Sequence, residues 1–109
     1  MDDEEDNVTL FTKVMQDNNY HVMGFTNPLF FLDYIREYPD KFSLIIVDYR
    51  MSPMQGCELS NEIAKINPKI KMILLTAYDN VTKNVLNLEV IKKPITITRL
   101  LQIIEQHLD

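Results

Sequence analysis

Apolar residues fall in short bursts along this chain, and the polar residues between them mark where each burst ends. Leu44-Ile45-Ile46-Val47 is an unbroken apolar run that stops on a carboxylate, Asp48. A run this short and continuous suits a strand covered on both faces, as in a parallel sheet. The pattern predicts a strand over Phe42 to Val47, with Asp48 delivered to its carboxyl end. Ile70 to Leu75 is a second such run and ends in Thr76-Ala77-Tyr78. Glu89 to Lys92 is a third and leads into Lys93-Pro94. His21 to Phe25 reads as one more short strand.

Between these runs the apolar period lengthens to that of a helix. Val8, Phe11, Val14 and Met15 share a helical face that ends at Asn18-Asn19. Alternation through Val8, Leu10 and Val14 also fits, but length and an acidic first turn favour the helix. Asn27 before Pro28 is a helix start, and Leu29, Leu32, Tyr34 and Ile35 carry the helix to Tyr38-Pro39-Asp40. Leu59, Ile63 and Ile66 mark a helix closed by Asn67-Pro68. Val81, Val85 and Leu86 suggest one or two further turns. Thr96 or Thr98 caps a last helix with Ile97, Leu100, Leu101, Ile104 and Leu108 on one face.

Strands alternating with helices imply an α/β fold, a doubly wound parallel sheet with helices on both sides and right-handed crossovers. The 109 residues fit one domain, residues 1–109, with a modest core. A formal charge of -5 argues against non-specific nucleic-acid binding, which needs a basic face. The apolar runs are too short to span a bilayer, and no basic-then-apolar leader opens the chain, so a cytoplasmic location is expected. The single cysteine, Cys57, cannot close an intramolecular disulfide and reads as a small residue near a helix start. His21 and His107 read as ordinary partly exposed residues, and no pair of His or Cys has metal-ligand spacing. Leu29-Phe30-Phe31 exceeds what one buried helix face needs, which leaves either core plus edge or a partner contact.

Three of the strands end in polar residues that the apolar pattern does not require: Asp48, Thr76 and Lys93. In a parallel sheet these ends lie along one edge, where open α/β folds place their chemistry. The acidic stretch Asp2-Asp3 joins them if it too follows a strand at that edge. Carboxylates held close repel one another and bind a hard cation such as Mg²⁺ through oxygen. An Asp carboxylate can accept a phosphoryl group as an acyl phosphate. Lys93 supplies a mobile positive charge, the Thr76 hydroxyl can donate to a phosphate oxygen, and Ala77 leaves room for a donor.

In this order and near the usual spacing, Asp2-Asp3, Asp48, Thr76-Ala77 and Lys93-Pro94 resemble the receiver domain of bacterial and archaeal response regulators. The tract Asp48-Tyr49-Arg50-Met51, with Gly56 eight residues after the Asp, is also similar to the family's loop. The resemblance covers almost the whole chain. It implies the flavodoxin- and CheY-like sheet order 2-1-3-4-5, and a phosphoacceptor switch of a two-component system. Asp48 would be the phosphoacceptor. Asp3 and Asp48 would hold Mg²⁺ directly with the backbone carbonyl of Arg50, and Asp2 largely through water. Thr76 would be the hydroxyl that moves towards the phosphoryl group, and Lys93 would pair with Asp48 or the phosphoryl oxygens. The implied donor is a sensor histidine kinase or phosphotransfer protein, and the implied output is a contact with a downstream protein. No direct nucleic-acid or membrane contact is expected.

The chain departs from the family in several places. The apolar first strand that precedes the acidic pair is reduced to Met1, so the expected sheet has its first strand largely missing. The expectation is that the sequence starts late, downstream of that strand. Thr76 and Lys93 stand only 17 positions apart, so a shortened fourth helix is expected. Val90 occupies the position, three before the Lys, where the family often has Tyr or Phe; Tyr78 is the aromatic that could compensate. Ser52-Pro53 replaces the more usual Pro-Gly. Two rival readings follow. One is a receiver-fold binding module that is not phosphorylated. The other is a phosphatase of the haloacid-dehalogenase type, but that chemistry needs an acid two residues after the nucleophile, and Arg50 stands there. The expectation is therefore not an enzyme, with at most slow loss of phosphate from Asp48.

Overall fold

The computed structural model describes residues 1–78 and 87–108. Its elements are helices α1 (Glu5–Asp17) and α2 (Pro28–Glu37), strand β1 (Leu44–Asp48), helix α3 (Gly56–Ile66), strands β2 (Lys71–Thr76) and β3 (Leu88–Lys92), and helix α4 (Ile97–Leu108). The helical turns expected at Val81, Val85 and Leu86 lie outside the described residues.

Local chemistry accounts for where the helices begin and end. Asn27 caps α2, its Oδ1 accepting from the Leu29 and Phe30 N–H groups at 2.9 and 3.2 Å, with Pro28 at the first helical position. Thr96 Oγ1 accepts from the Arg99 N–H at 3.1 Å and opens α4. At the end of α1, Asn19 takes a φ of 70°, the left-handed conformation that Asn tolerates. The Asn19 and Tyr20 N–H groups then donate back to Gln16 and Met15 carbonyls at 3.0 and 3.1 Å, which satisfies two orphan acceptors.

The three strands form one parallel sheet in the order β1-β2-β3. Leu44 to Asp48 pair in register with Lys71 to Leu75, and Met72 to Thr76 with Leu88 to Lys92. Alternation along each strand feeds two cores, one on either face. Ile45, Val47, Met72, Leu74 and Leu88 pack with Phe31, Leu32 and Ile35 of α2 and with Leu59 and Ile63 of α3. Leu44, Ile46, Ile73, Leu75 and Ile91 pack with Met15 of α1 and with Leu100, Ile103 and Ile104 of α4. The unbroken apolar runs are thus explained, since both faces are covered. Among the described residues no helix is long and apolar enough to cross a membrane.

One expected strand is corrected. His21 to Phe25 is not part of the sheet. A strand exists through a ladder of partners, and among the described residues this segment has one such bond, from the Asp2 N–H to the Phe25 carbonyl at 3.2 Å. Its Gly24 lies so close to α1 that a Cβ there would meet Val8 Cγ1 at 2.4 Å. Met1 lies between this segment and β1: its amine donates to the Ile46 carbonyl at 2.7 Å, and its carbonyl accepts from the Asp48 N–H at 3.0 Å. Strand β1 also runs two residues later than expected, from Leu44 to Asp48 rather than from Phe42.

Candidate functional site

The carboxyl end of β1 delivers Asp48, and its neighbours arrive from three other parts of the chain. The bonds of Met1 to Ile46 and Asp48 set Asp2 and Asp3 beside the end of β1. One carboxylate oxygen from each of Asp2, Asp3 and Asp48 lies within 4.8 Å of the others. Lys93 follows β3, and its backbone N–H donates to the Thr76 carbonyl at 2.6 Å. That bond carries its side chain to the same edge, where Nζ donates to Asp48 Oδ1 at 2.5 Å across 45 positions of sequence. The Asp48 side chain is 13% exposed and that of Lys93 40%.

Burial pushes the Asp48 carboxyl above its ordinary value. The Lys93 hydrogen bond and charge pull it back, while Asp2 and Asp3 push it up again by repulsion. Burial also holds the Met1 amine down at about 6, against the pull of Asp2 and Asp48. The donor set is three hard carboxylate oxygens crowded together, which fits a divalent cation that prefers oxygen.

Thr76 ends β2 one step past Leu75, the register partner of Asp48, and is buried. Its hydroxyl is turned to its own loop, where Oγ1 accepts from the Tyr78 N–H at 3.0 Å. The structure therefore brings Asp2, Asp3 and Lys93 to the Asp48 carboxylate, and places Thr76 at the same edge with its oxygen engaged elsewhere. Arg50 lies two residues beyond Asp48, and its guanidinium donates to the Tyr78 hydroxyl at 3.1 Å.

The loop after Asp48 returns to the strand through Gly56, whose N–H donates to the Tyr49 carbonyl at 2.7 Å. A Cβ at Gly56 would stand 2.3 Å from the Asp48 carbonyl and 2.9 Å from Tyr49 Cα, so backbone approach requires glycine. Two features of the loop escaped the sequence reading. The Ser52 N–H donates to Asp3 Oδ2 at 3.1 Å, tying the loop to the acidic pair. Tyr49 and Tyr78 meet edge to face with centroids 5.6 Å apart, and with Arg50 and Gln55 they line an open groove of about 310 Å³. No spacing rule signals either contact, because the partners lie on loops that only the fold brings together.

The chain is similar to known proteins in sequence and in fold. Residues 1–105 match the family model described as the response regulator receiver domain. Over 81 residues the chain is 33% identical to the transcriptional regulatory protein ZraR of Klebsiella oxytoca, covering 74% of this chain and 18% of that protein. Over 83 residues it is 30% identical to the response regulator receiver protein CpdR of Brucella abortus, covering 76% of this chain and 68% of the relative. Among solved structures, the response regulator protein TrrA of Thermotoga maritima in complex with Mg²⁺ and BeF superposes with a TM-score of 0.80 at 24% identity, covering 97% and 93% of the two chains. TrrA in complex with the histidine kinase ThkA superposes with a TM-score of 0.81, again at 24% identity, covering 99% and 94%.

Proposed function

Since the chain belongs to the response regulator receiver family, we propose that it is a phosphoacceptor switch that takes a phosphoryl group on Asp48. The observation that carries this reading is the meeting of Lys93 with Asp48 inside a cluster of three carboxylates. An acid half-buried beside two others is disfavoured in its charged form unless a positive charge offsets the repulsion, and the Lys93 amine supplies one.

In this reading the donor is a phosphohistidine on a sensor kinase or phosphotransfer protein. TrrA, solved with the kinase ThkA, supports that class of partner. A carboxylate oxygen of Asp48 forms a bond to phosphorus as the bond from phosphorus to the imidazole nitrogen breaks. The imidazole leaves with the electron pair of that bond and takes up a proton. Asp2, Asp3, Asp48 and the Arg50 carbonyl are the residues that would hold Mg²⁺. When bound, Mg²⁺ supplies positive charge to the phosphoryl oxygens. Lys93 holds the Asp48 carboxylate in place and then faces the phosphoryl group. Thr76 turns its hydroxyl from Tyr78 to a phosphoryl oxygen. Phosphorylation adds roughly -1.5 to -2 charges where a carboxylate stood, enough to bias a two-state surface. Output then passes to a downstream protein by contact, from a cytoplasmic location. Asp48 releases its phosphate slowly, and the chain turns over no external substrate.

The test is incubation with acetyl phosphate and Mg²⁺, read by intact mass. A single phosphoryl adduct is expected on the wild-type chain and none on Asp48→Asn. No adduct with this donor or with a phosphorylated histidine kinase would favour a binding module. Sustained release of phosphate from a phosphate ester would favour a phosphatase.

A further inference from the structure

Each carboxylate of the Asp2, Asp3 and Asp48 cluster is held by a different part of the chain. Asp2 is tied to its own helix: Oδ1 accepts from the Glu4 N–H at 3.0 Å and Oδ2 from the Asn7 side-chain amide at 3.3 Å. Asp48 is met by Lys93 Nζ at 2.5 Å. Asp3 is exposed, and among the described residues its carboxylate is held by one bond, from the Ser52 N–H to Oδ2 at 3.1 Å, across 49 positions of sequence.

Ser52 offers that N–H from a fixed base. The loop is closed at its ends by the Gly56 N–H on the Tyr49 carbonyl, and Met51, only 6% exposed, packs into the core beneath α2 and α3. Three carboxylates with oxygens within 4.8 Å repel one another, and an exposed one turns to water unless something retains it. The Ser52 N–H donates to the charged form of Asp3, which offsets part of the repulsion and fixes the direction of the carboxylate. The group used is the backbone N–H, which a proline at position 52 could not supply. Ser52 also stands two residues past Arg50, so the same bond ties the Asp3 segment to the loop that carries the Arg50 carbonyl.

We infer that Ser52 is a positioning residue for the cation: its backbone N–H clips the Asp3 carboxylate to the loop after Asp48 before a divalent cation arrives. The inference rests on the proposed cation role of Asp2, Asp3 and Asp48, and it adds the group that arranges them in advance. A carboxylate already in place loses less freedom on binding, so the cation is held more tightly.

The experiment titrates Mg²⁺ into the full chain labelled with ¹⁵N and follows the amide resonances to a dissociation constant. Ser52→Ala keeps the N–H and should bind Mg²⁺ as wild type does. Ser52→Pro removes it and should bind about tenfold more weakly. With acetyl phosphate as donor, Ser52→Pro should need about tenfold more Mg²⁺ for half-maximal adduct formation, yet reach the wild-type rate at saturation. A Ser52→Pro chain that keeps the wild-type spectrum away from the loop and binds Mg²⁺ as tightly as wild type, or more tightly, overturns the inference and leaves the phosphoacceptor reading standing. A second measurement does not depend on that variant. In the metal-free wild-type chain the Ser52 amide should exchange with solvent about tenfold more slowly than in Asp3→Ala, the size of one hydrogen bond. Equal exchange in those two chains also overturns the inference. If wild type shows no Mg²⁺-dependent shifts at all, the cation role of the three acids falls with it.

Discussion

The Asp48 carboxylate is largely withdrawn from water, stands within reach of Asp2 and Asp3, and is met by Lys93 at 2.5 Å. Its environment still favours the protonated form, because burial and repulsion together outweigh the lysine. The sign for stability follows. In the window between the ordinary carboxylate value and the raised one, the folded chain binds more protons than the unfolded chain. Stability is therefore highest below that window and falls as pH rises through it. In the absence of Mg²⁺, Asp48→Asn should unfold at a higher urea concentration than wild type above the window, and the gap should close below it. Equal midpoints for the two chains at neutral pH would show that Lys93 fully offsets the burial.

At the scale of elements, the polar residues at the ends of helices were easy to read and the pairing of strands was not. Asn27-Pro28, Asn18-Asn19 and Thr96 each do what their side-chain chemistry indicates, because capping depends on neighbours a few residues away. Asn27→Ala should lower stability by about 1 kcal/mol in urea unfolding, since it leaves the Leu29 and Phe30 N–H groups without their acceptor. Asn27→Ser should recover most of that loss. His21 to Phe25 shows the limit of this kind of reading. Its composition suits a strand, but a strand also needs a partner along its length. What lies beside it is Met1 and Asp2, which supply a single bond, from the Asp2 N–H to Phe25.

The whole molecule is a sheet between two cores, and it gathers the site by aligning the carboxyl ends of its strands. Asp2, Asp3 and Asp48 approach only when the chain near Met1 is seated on β1 and the cores hold the strands in register. A cation bound by all three then favours the folded state by mass action. Adding Mg²⁺ should raise the melting temperature with concentration, by about 1.4 kcal/mol at tenfold its dissociation constant, which is several degrees for a domain of this size. Asp3→Asn should reduce that shift and Asp48→Asn should nearly abolish it. An equal rise in all three chains would mean that Mg²⁺ binds elsewhere.

The residues alone determined the alternation of strands with helices, the cap at Asn27 and the stop at Asn18-Asn19, and the list of polar groups that end the apolar runs. These are local properties: a period of 2 or 3.6, a side chain that reaches its own backbone, a charge where packing does not ask for one. Only the folded chain decided that His21 to Phe25 stands outside the sheet, that the Thr76 hydroxyl faces Tyr78, and that Arg50 and Ser52 reach across to partners 28 and 49 positions away. Those contacts depend on which loops the sheet brings side by side, and no stretch of sequence contains both halves of such a contact.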